Sequence, residues 1–212
     1  MVRDPEVSGF LVQGSVARGD AYPVSDLDLY VLLGDGIRRP FQSTYREGIL
    51  VEVKALDRHQ ALAQCTETPM GVYQFLDAVI LLDHEGELGR LRDRARDLFE
   101  RYRPPEAELQ SLRYWLESAL VKIQAAGRAQ DDVKASFVVA TTSWKIIEAL
   151  WAVNQKPVPP NGAVLFHLKD LTVGPPDLVG AIHGMVAGDA SRRIDQAVRL
   201  IRWLLPRLTG SA

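Results

Sequence analysis

The 212-residue sequence has little of several features that define whole classes of protein. It contains a single cysteine, Cys65, which excludes an internal disulfide and indicates a reducing compartment. It has no run of about eighteen apolar residues, and its first residues lack the apolar core of a signal peptide. We therefore expect a cytoplasmic protein that is neither exported nor inserted in a membrane.

The sequence also has no excess of basic over acidic residues. The 25 lysines and arginines are outnumbered by 27 aspartates and glutamates, which gives a formal net charge of −2. Long nucleic acids are bound by broad basic surfaces that displace counterions, so we do not expect one as a substrate. A small molecule or a protein is the better candidate partner. The hydrophobic content of 47% is that of an ordinary globular chain.

Two aspartates stand out in the letters SDLDL, at the start of a strand predicted over residues 27–33. Side chains two residues apart on a strand face the same side, so Asp26 and Asp28 project together. Adjacent carboxylates repel each other unless a counter-charge is present. Oxygen ligands of this kind suit Mg²⁺, which keeps positions for water and substrate phosphate. The pattern predicts a magnesium site.

A glycine turn precedes this strand. Residues 14–20, GSVARGD, follow an apolar strand predicted to end at Gln13, and they predict a turn with about one helical turn after it. Glycine lets the backbone approach a ligand closely, and free N–H groups at a helix start favour an anion. A phosphate cradle at Gly14 and Ser15 beside a metal pair predicts a site for a nucleoside triphosphate.

These motifs resemble the signature of the DNA-polymerase-β-like nucleotidyltransferase superfamily. The form Gly-Ser-x-Ala-Arg-Gly-Asp is most similar to its small bacterial members, the minimal and the antibiotic-modifying nucleotidyltransferases. Enzymes of this superfamily carry a third carboxylate on a later strand. In residues 48–54, GILVEVK, apolar residues alternate as in a strand, and Glu52 matches that third position. The match covers roughly the first fifty residues.

The resemblance implies an enzyme that moves a nucleotidyl group from an NTP, with ATP the first candidate, to an acceptor hydroxyl and releases pyrophosphate. Asp26, Asp28 and Glu52 would hold Mg²⁺, two ions being expected, and Glu52 could instead receive the acceptor proton. The residues predicted to contact the nucleotide are Gly14, Ser15, Arg18, Ser25 and Lys54.

For two of these residues, the sequence allows more than one role. Arg18 would neutralise charge on the departing pyrophosphate, or it is a surface arginine. Lys54 shares a strand face with Glu52 and would pair with the carboxylates or with the triphosphate.

Two prolines in residues 103–106, RPPE, mark the clearest boundary in the chain. Before it, strands and helices alternate, which predicts an α/β (α+β) nucleotidyltransferase domain over residues 1–103 with a mixed sheet. After it, apolar residues recur at helical spacing, which predicts an all-α helical bundle over residues 104–212. This organisation resembles the kanamycin and streptomycin nucleotidyltransferases, in which the substrate lies between the halves.

The helical half favours a small hydroxylated acceptor, such as an aminoglycoside-like or lincosamide-like antibiotic. The alternative is an antitoxin-type nucleotidyltransferase that binds and modifies a partner protein. Those antitoxins are usually little more than the first hundred residues, whereas this chain continues. The sequence does not decide between a monomer and a homodimer.

The resemblance also implies a further catalytic residue. In kanamycin-type enzymes a glutamate on the first helix after the linker is the general base, and Glu117 lies closest to that position. It is next to the buried stripe predicted for this helix, and partial shielding by apolar neighbours raises the pKa of a carboxyl group. The alternatives are a solvated Glu117, with Glu148 on the next helix or Glu52 as the base.

Overall fold

The structure, a computed structural model, describes residues 4–208. Its contacts group the chain into two units: unit 1 is Met1–Tyr102 with Pro159–Phe166, and unit 2 is Arg103–Val158 with His167–Ala212. The sequence-based domains, 1–103 and 104–212, stay a prediction. The contact grouping differs from them by placing Pro159–Phe166 with unit 1.

Within the described residues, unit 1 contains a five-stranded sheet and four complete α-helices. The strands are β1 Val7–Gln13, β2 Leu27–Leu33, β3 Gln42–Arg46, β4 Ile49–Asp57 and β5 Val79–Asp83. The helices are α1 Gly14–Arg18, α2 Arg58–Glu67, α3 Tyr73–Leu76 and α4 Glu87–Arg101. Asp57 caps α2 as its sequence position suggests, since its carboxylate accepts the Gln60 N–H at 2.9 Å.

The sheet has the order β3-β4-β2-β1-β5. β2 and β4 pair in parallel, and the other three pairs are antiparallel, so the predicted mixed sheet is confirmed. The parallel pair sets Asp28 beside Glu52. Because the two strands run in the same direction, their N-terminal ends meet at one end of the sheet, where β1 leads into α1.

One face of the sheet is covered by helices. Its core contains Leu11, Tyr30 and Leu32 from the strands, together with Phe75 and Leu88 from the helical side. Side chains alternate between the two faces along β2 and β4, so Asp28 and Glu52 lie on this same face. Tyr30, two residues after Asp28 on β2, is already buried in the core. The carboxylates therefore lie where the helix-covered core ends, and rigid strands hold them there.

The strand predicted in residues 48–54 is β4, and it begins directly after a hairpin turn. Glu47 and Gly48 both have positive φ, 51° and 83°, and they link β3 to β4. Two positive φ values in a two-residue connection fit the twist of antiparallel strands. Without an Asn-Gly or Asp-Gly pair, the turn was not recognised from the sequence.

Unit 2 is helical, as expected for the second half of the chain. Its helices are α5 Glu106–Arg128, α6 Asp132–Val153, α7 Val164–His167 (shared with the end of unit 1), α8 Leu178–Ala187 and α9 Ala190–Leu204. The predicted stripe on α5 is buried at Leu112, Leu116 and Ile123. Among the helices of residues 4–208, none combines the length and apolar composition that a membrane crossing requires.

Candidate functional site

The three predicted metal ligands lie together in unit 1. Asp26, Asp28 and Glu52 each offer one carboxylate oxygen, and these oxygens all lie within 4.8 Å of one another. Asp28 and Glu52 are neighbours across the β2–β4 pair and are partly buried, whereas Asp26, just before β2, is exposed. Three carboxylates this close form an oxygen-only site of the type that binds Mg²⁺.

The electrostatics of Asp28 fit a cation. Burial is the main cause that raises the pKa of the Asp28 carboxyl, and the nearby carboxylates of Asp26 and Glu52 raise it further. Arg18 opposes this rise only as the smallest contribution. A bound cation would relieve both causes, because it replaces lost hydration and offsets the like charges.

Gly14 is required at its position for two reasons. Its φ is 69°, in the left-handed region that side chains disfavour. In addition, a Cβ placed on Gly14 would overlap the Oδ2 atom of Asp28. The turn after β1 therefore packs against β2, the strand that carries Asp28. A larger residue at position 14 would displace the Asp28 carboxylate.

The carboxylates open into a cavity of about 560 Å³ within unit 1. Its lining residues come from the strands and the residues just before them, from α1, from α3 with the residue after it, and from the 160–163 segment. They are Gln13, Gly14, Ser15, Arg18, Asp26, Asp28, Leu29, Phe41, Glu52, Lys54, Tyr73, Gln74, Asp77, Pro160, Gly162 and Ala163. Four of these side chains are acidic and two are basic, so the cavity has an excess of negative charge that a metal would offset.

Most residues predicted to contact the nucleotide line this cavity: Gly14, Ser15, Arg18 and Lys54. Lys54 is partly buried, and burial lowers the pKa of its ammonium group. No ion pair to Lys54 is present within residues 4–208. This leaves its charge available to an anionic substrate, which is one of the two roles considered for it.

Ser25 is placed outside the lining. Its hydroxyl accepts the Tyr22 N–H at 2.9 Å, and its own N–H donates to the Tyr22 carbonyl at 2.9 Å. Both bonds close the turn that leads into β2. The contact of Ser25 with a nucleotide stays a prediction.

Glu117 lies on α5 in unit 2, and its side chain is 51% exposed. Its carboxylate accepts a hydrogen bond from Arg113 Nε at 2.9 Å. The apolar shielding expected beside the buried stripe is therefore small. The alternative base, Glu148 on α6, lies 2.6 Å from Lys145 Nζ and is 22% exposed. The base role stays a prediction for both.

Sequence reasoning missed a residue beside the third carboxylate. Ser43 on β3 lies opposite Glu52 and donates its hydroxyl to Glu52 Oε1 at 3.3 Å. Phe41, just before β3, lines the cavity and is 60% exposed. Once a hairpin turn at 47–48 is recognised, alternation puts Ser43 on the face of Glu52. That turn was the missing signal.

No family model matches the sequence. No curated protein matches it either. Solved structures do match, among them a nucleotidyltransferase-like protein from Exiguobacterium sibiricum, with a TM-score of 0.45 and 13% sequence identity. That alignment covers 95% of this chain and 69% of the other. The assignment of a function therefore depends on the site itself.

Proposed function

We propose that this protein transfers a nucleotidyl group from a nucleoside triphosphate to a hydroxyl of a small-molecule acceptor. ATP is the first candidate for the donor. The observation that supports this most is the meeting of three carboxylates with the Gly14–Ser15 turn at one cavity. A metal cluster alone fits many reactions, whereas a cluster beside a close-approaching glycine turn fits a metal-bound polyphosphate.

Asp26, Asp28 and Glu52 would hold Mg²⁺, with two ions expected. Bound there, the metal would neutralise phosphate charge and stabilise the attacking and leaving oxygens of an in-line displacement. The donor set fits this role, since all three residues offer oxygen and their ligand atoms lie within 4.8 Å of each other. Ser43 would keep the Glu52 carboxylate oriented through its 3.3 Å hydrogen bond.

The residues of the chain would divide the remaining tasks. Ser15 and the backbone N–H groups of the turn would bind the β- and γ-phosphates. The ammonium group of Lys54 would offset part of the negative charge of these phosphates. The acceptor oxygen would bond to the α-phosphorus as the bond to the bridging oxygen breaks, and pyrophosphate would leave. A carboxylate would accept the hydroxyl proton, and the candidates are Glu117 on α5 and Glu52 on β4, which would then not be a metal ligand.

The acceptor class has its own support in the chain. The formal net charge is −2 and the cavity lining is acidic, which disfavours a long polyanion and favours a neutral or cationic small molecule. We propose a hydroxylated compound, for which aminoglycoside-like and lincosamide-like antibiotics are the first probes.

Calorimetric titration with ATP tests the donor half of the proposal. Wild-type protein should bind ATP in the presence of Mg²⁺ and much more weakly with EDTA. Asp26→Asn and Asp28→Asn should lose this metal dependence, because an amide cannot offset the metal charge. Asp35→Asn is the matched control, since Asp35 is exposed in the turn after the same strand and does not line the cavity. Equal ATP binding with and without Mg²⁺ would contradict the metal role.

A further inference from the structure

Arg18 lies at the end of α1 and has a side chain only 9% exposed. Its Nη2 group donates to the Gly162 carbonyl at 3.2 Å. Its Nε atom lies 3.2 Å from Asp20 Oδ1, and its Nη1 atom lies 3.9 Å from Asp77 Oδ2. Of the three guanidinium nitrogens, Nη2 makes this hydrogen bond, whereas Nε is buried without a hydrogen bond within residues 4–208 and Nη1 is only at ion-pair distance from Asp77.

These contacts leave Arg18 poorly suited to bind phosphate directly. Two carboxylates, Asp20 and Asp77, already offset its charge, and the low exposure of the side chain restricts access to it. An arginine that stabilises charge on a departing group needs donors aimed at that group. Lys54 has no ion pair within the described residues, and it is the better source of positive charge at this cavity.

The partner of Arg18 is a turn that forms part of the cavity lining. Residues Asn161–Ala163 form a short 3₁₀ turn after Pro160, and the Ala163 N–H donates to the Pro160 carbonyl at 2.8 Å. Arg18 also lies over the ring of Phe166, with its guanidinium carbon 5.7 Å from the ring centre. Both Arg18 and this turn belong to unit 1. The prolines stiffen the turn, but its place relative to α1 needs an anchor.

We propose that Arg18 is a positioning residue that anchors the 160–163 turn as a wall of the nucleotide cavity. The planar guanidinium group suits this role, because it donates a hydrogen bond to the Gly162 carbonyl while it lies over the Phe166 ring and beside the carboxylates of Asp20 and Asp77. A lysine has the same charge but cannot make this set of contacts. The inference rests on the proposed nucleotide site for its functional consequence, and on the contacts of Arg18 alone for the anchor.

Three variants separate an anchor from a charge. Arg18→Lys keeps the charge and removes the planar fork, Arg18→Gln removes both, and Arg58→Lys is the control. Arg58 is an exposed arginine of unit 1 that lies 3.4 Å from Glu87 and outside the cavity lining. For each variant, amide hydrogen exchange is followed in residues 161–166 and in β2, and Mg²⁺-ATP affinity is measured by calorimetry.

An anchor predicts the same result for Arg18→Lys and Arg18→Gln. Exchange in residues 161–166 should rise about tenfold, as for the loss of one charge-assisted hydrogen bond, while exchange in β2 stays as in the wild type. Mg²⁺-ATP affinity should fall by a similar factor in both, and binding of Mg²⁺ alone to Arg18→Lys should be unchanged. Arg58→Lys should match the wild type throughout.

Two results would overturn the inference. The first is wild-type exchange in residues 161–166 of Arg18→Lys, whatever its affinity, because the turn would then be held without the guanidinium fork. The second is faster exchange with unchanged Mg²⁺-ATP affinity, because the wall would then not matter to the ligand. If wild-type protein fails to bind Mg²⁺-ATP, the proposed function fails, and the exchange measurement still decides whether Arg18 anchors the turn.

Discussion

At the scale of single residues, Asp28 connects folding stability to the proposed chemistry. Its partly buried carboxylate lies beside Asp26 and Glu52, and burial followed by these charges raises its pKa. We therefore expect metal-free Asp28→Asn to be more stable than the wild type by up to about 1 kcal/mol, since solvent screens part of the repulsion. Thermal melts in EDTA measure this difference. Saturating Mg²⁺ should stabilise only the wild type.

The pH dependence follows from the same carboxyl group. Its pKa in the folded protein lies above the usual value of 3.8. At a pH between the unfolded and the folded pKa, the folded protein therefore keeps a proton on Asp28 that the unfolded chain has lost. The stability that this proton contributes is fully present below about pH 4 and is lost as the pH rises through the raised pKa. Metal-free wild type should therefore lose stability relative to Asp28→Asn as the pH rises above about 4. A constant difference between their melts would show that Asp28 is not under this repulsion.

Tyr30 provides a test in the core beside the site. It is fully buried, its burial strongly raises the pKa of its phenol, and its hydroxyl makes no hydrogen bond within residues 4–208. Tyr30→Phe removes this unsatisfied group and keeps the edge-to-face contact with Phe75. We expect a gain of about 1 kcal/mol in the free energy of unfolding, measured by urea denaturation. A loss of stability would indicate that the hydroxyl has a partner.

At the scale of elements, the turn between β1 and α1 can be tested with a matched glycine. Gly14 and Gly19 both have positive φ, 69° and 81°. A Cβ on Gly14 would overlap Asp28, whereas a Cβ on Gly19 would meet nothing within 4 Å. Each alanine variant should lose about 1 kcal/mol through backbone strain. Only Gly14→Ala should also lose Mg²⁺ binding, as measured by calorimetry. Equal Mg²⁺ binding by the two variants would contradict the close approach.

The elements also show which parts of the candidate site could be predicted from the sequence and which could not. The spacing in SDLDL was sufficient to place Asp26 and Asp28 on one face, and alternation did the same for Glu52, because each depends only on neighbours in the chain. Arg18 and Gly162 are 144 residues apart, and no local pattern indicates their hydrogen bond. Ser43 was missed because its pairing with Glu52 requires the hairpin turn at 47–48.

The β5 strand illustrates a related difference. Residues 78–82, AVILL, are wholly apolar, which is a pattern typical of a buried strand, and β5 is a strand, yet Val79 and Leu81 are 45% and 57% exposed. β5 lies at the edge of the sheet, after β1 in the strand order. The apolar run indicates the strand, but burial depends on what covers each face, and the run itself does not contain that information.

At the scale of the whole molecule, the two candidate general bases belong to different units, Glu52 to unit 1 and Glu117 to unit 2. The ion pair of Glu117 with Arg113 is exposed, so Glu117→Gln should leave the melting temperature unchanged. The hypothesis that Glu117 is the base predicts that Glu117→Gln loses roughly a hundredfold in turnover and the acidic limb of the pH–rate profile. Arg113→Gln is the control, because it removes the ion pair and keeps the carboxylate. An acidic limb that persists in Glu117→Gln and disappears in Glu52→Gln would assign the base to Glu52.

The central claim is that the nucleotidyl group, and not the terminal phosphate, moves to an acceptor. Two preparations of ATP, one labelled at the α-phosphorus and one at the γ-phosphorus, are incubated with the protein, Mg²⁺ and a panel of aminoglycoside-like and lincosamide-like compounds. Nucleotidyl transfer predicts that the α-label enters a new small-molecule product while the γ-label leaves in pyrophosphate, and that Asp26→Asn and Asp28→Asn do neither. Transfer of the γ-label to the acceptor, or an α-label product formed equally by the two aspartate variants, would contradict the account.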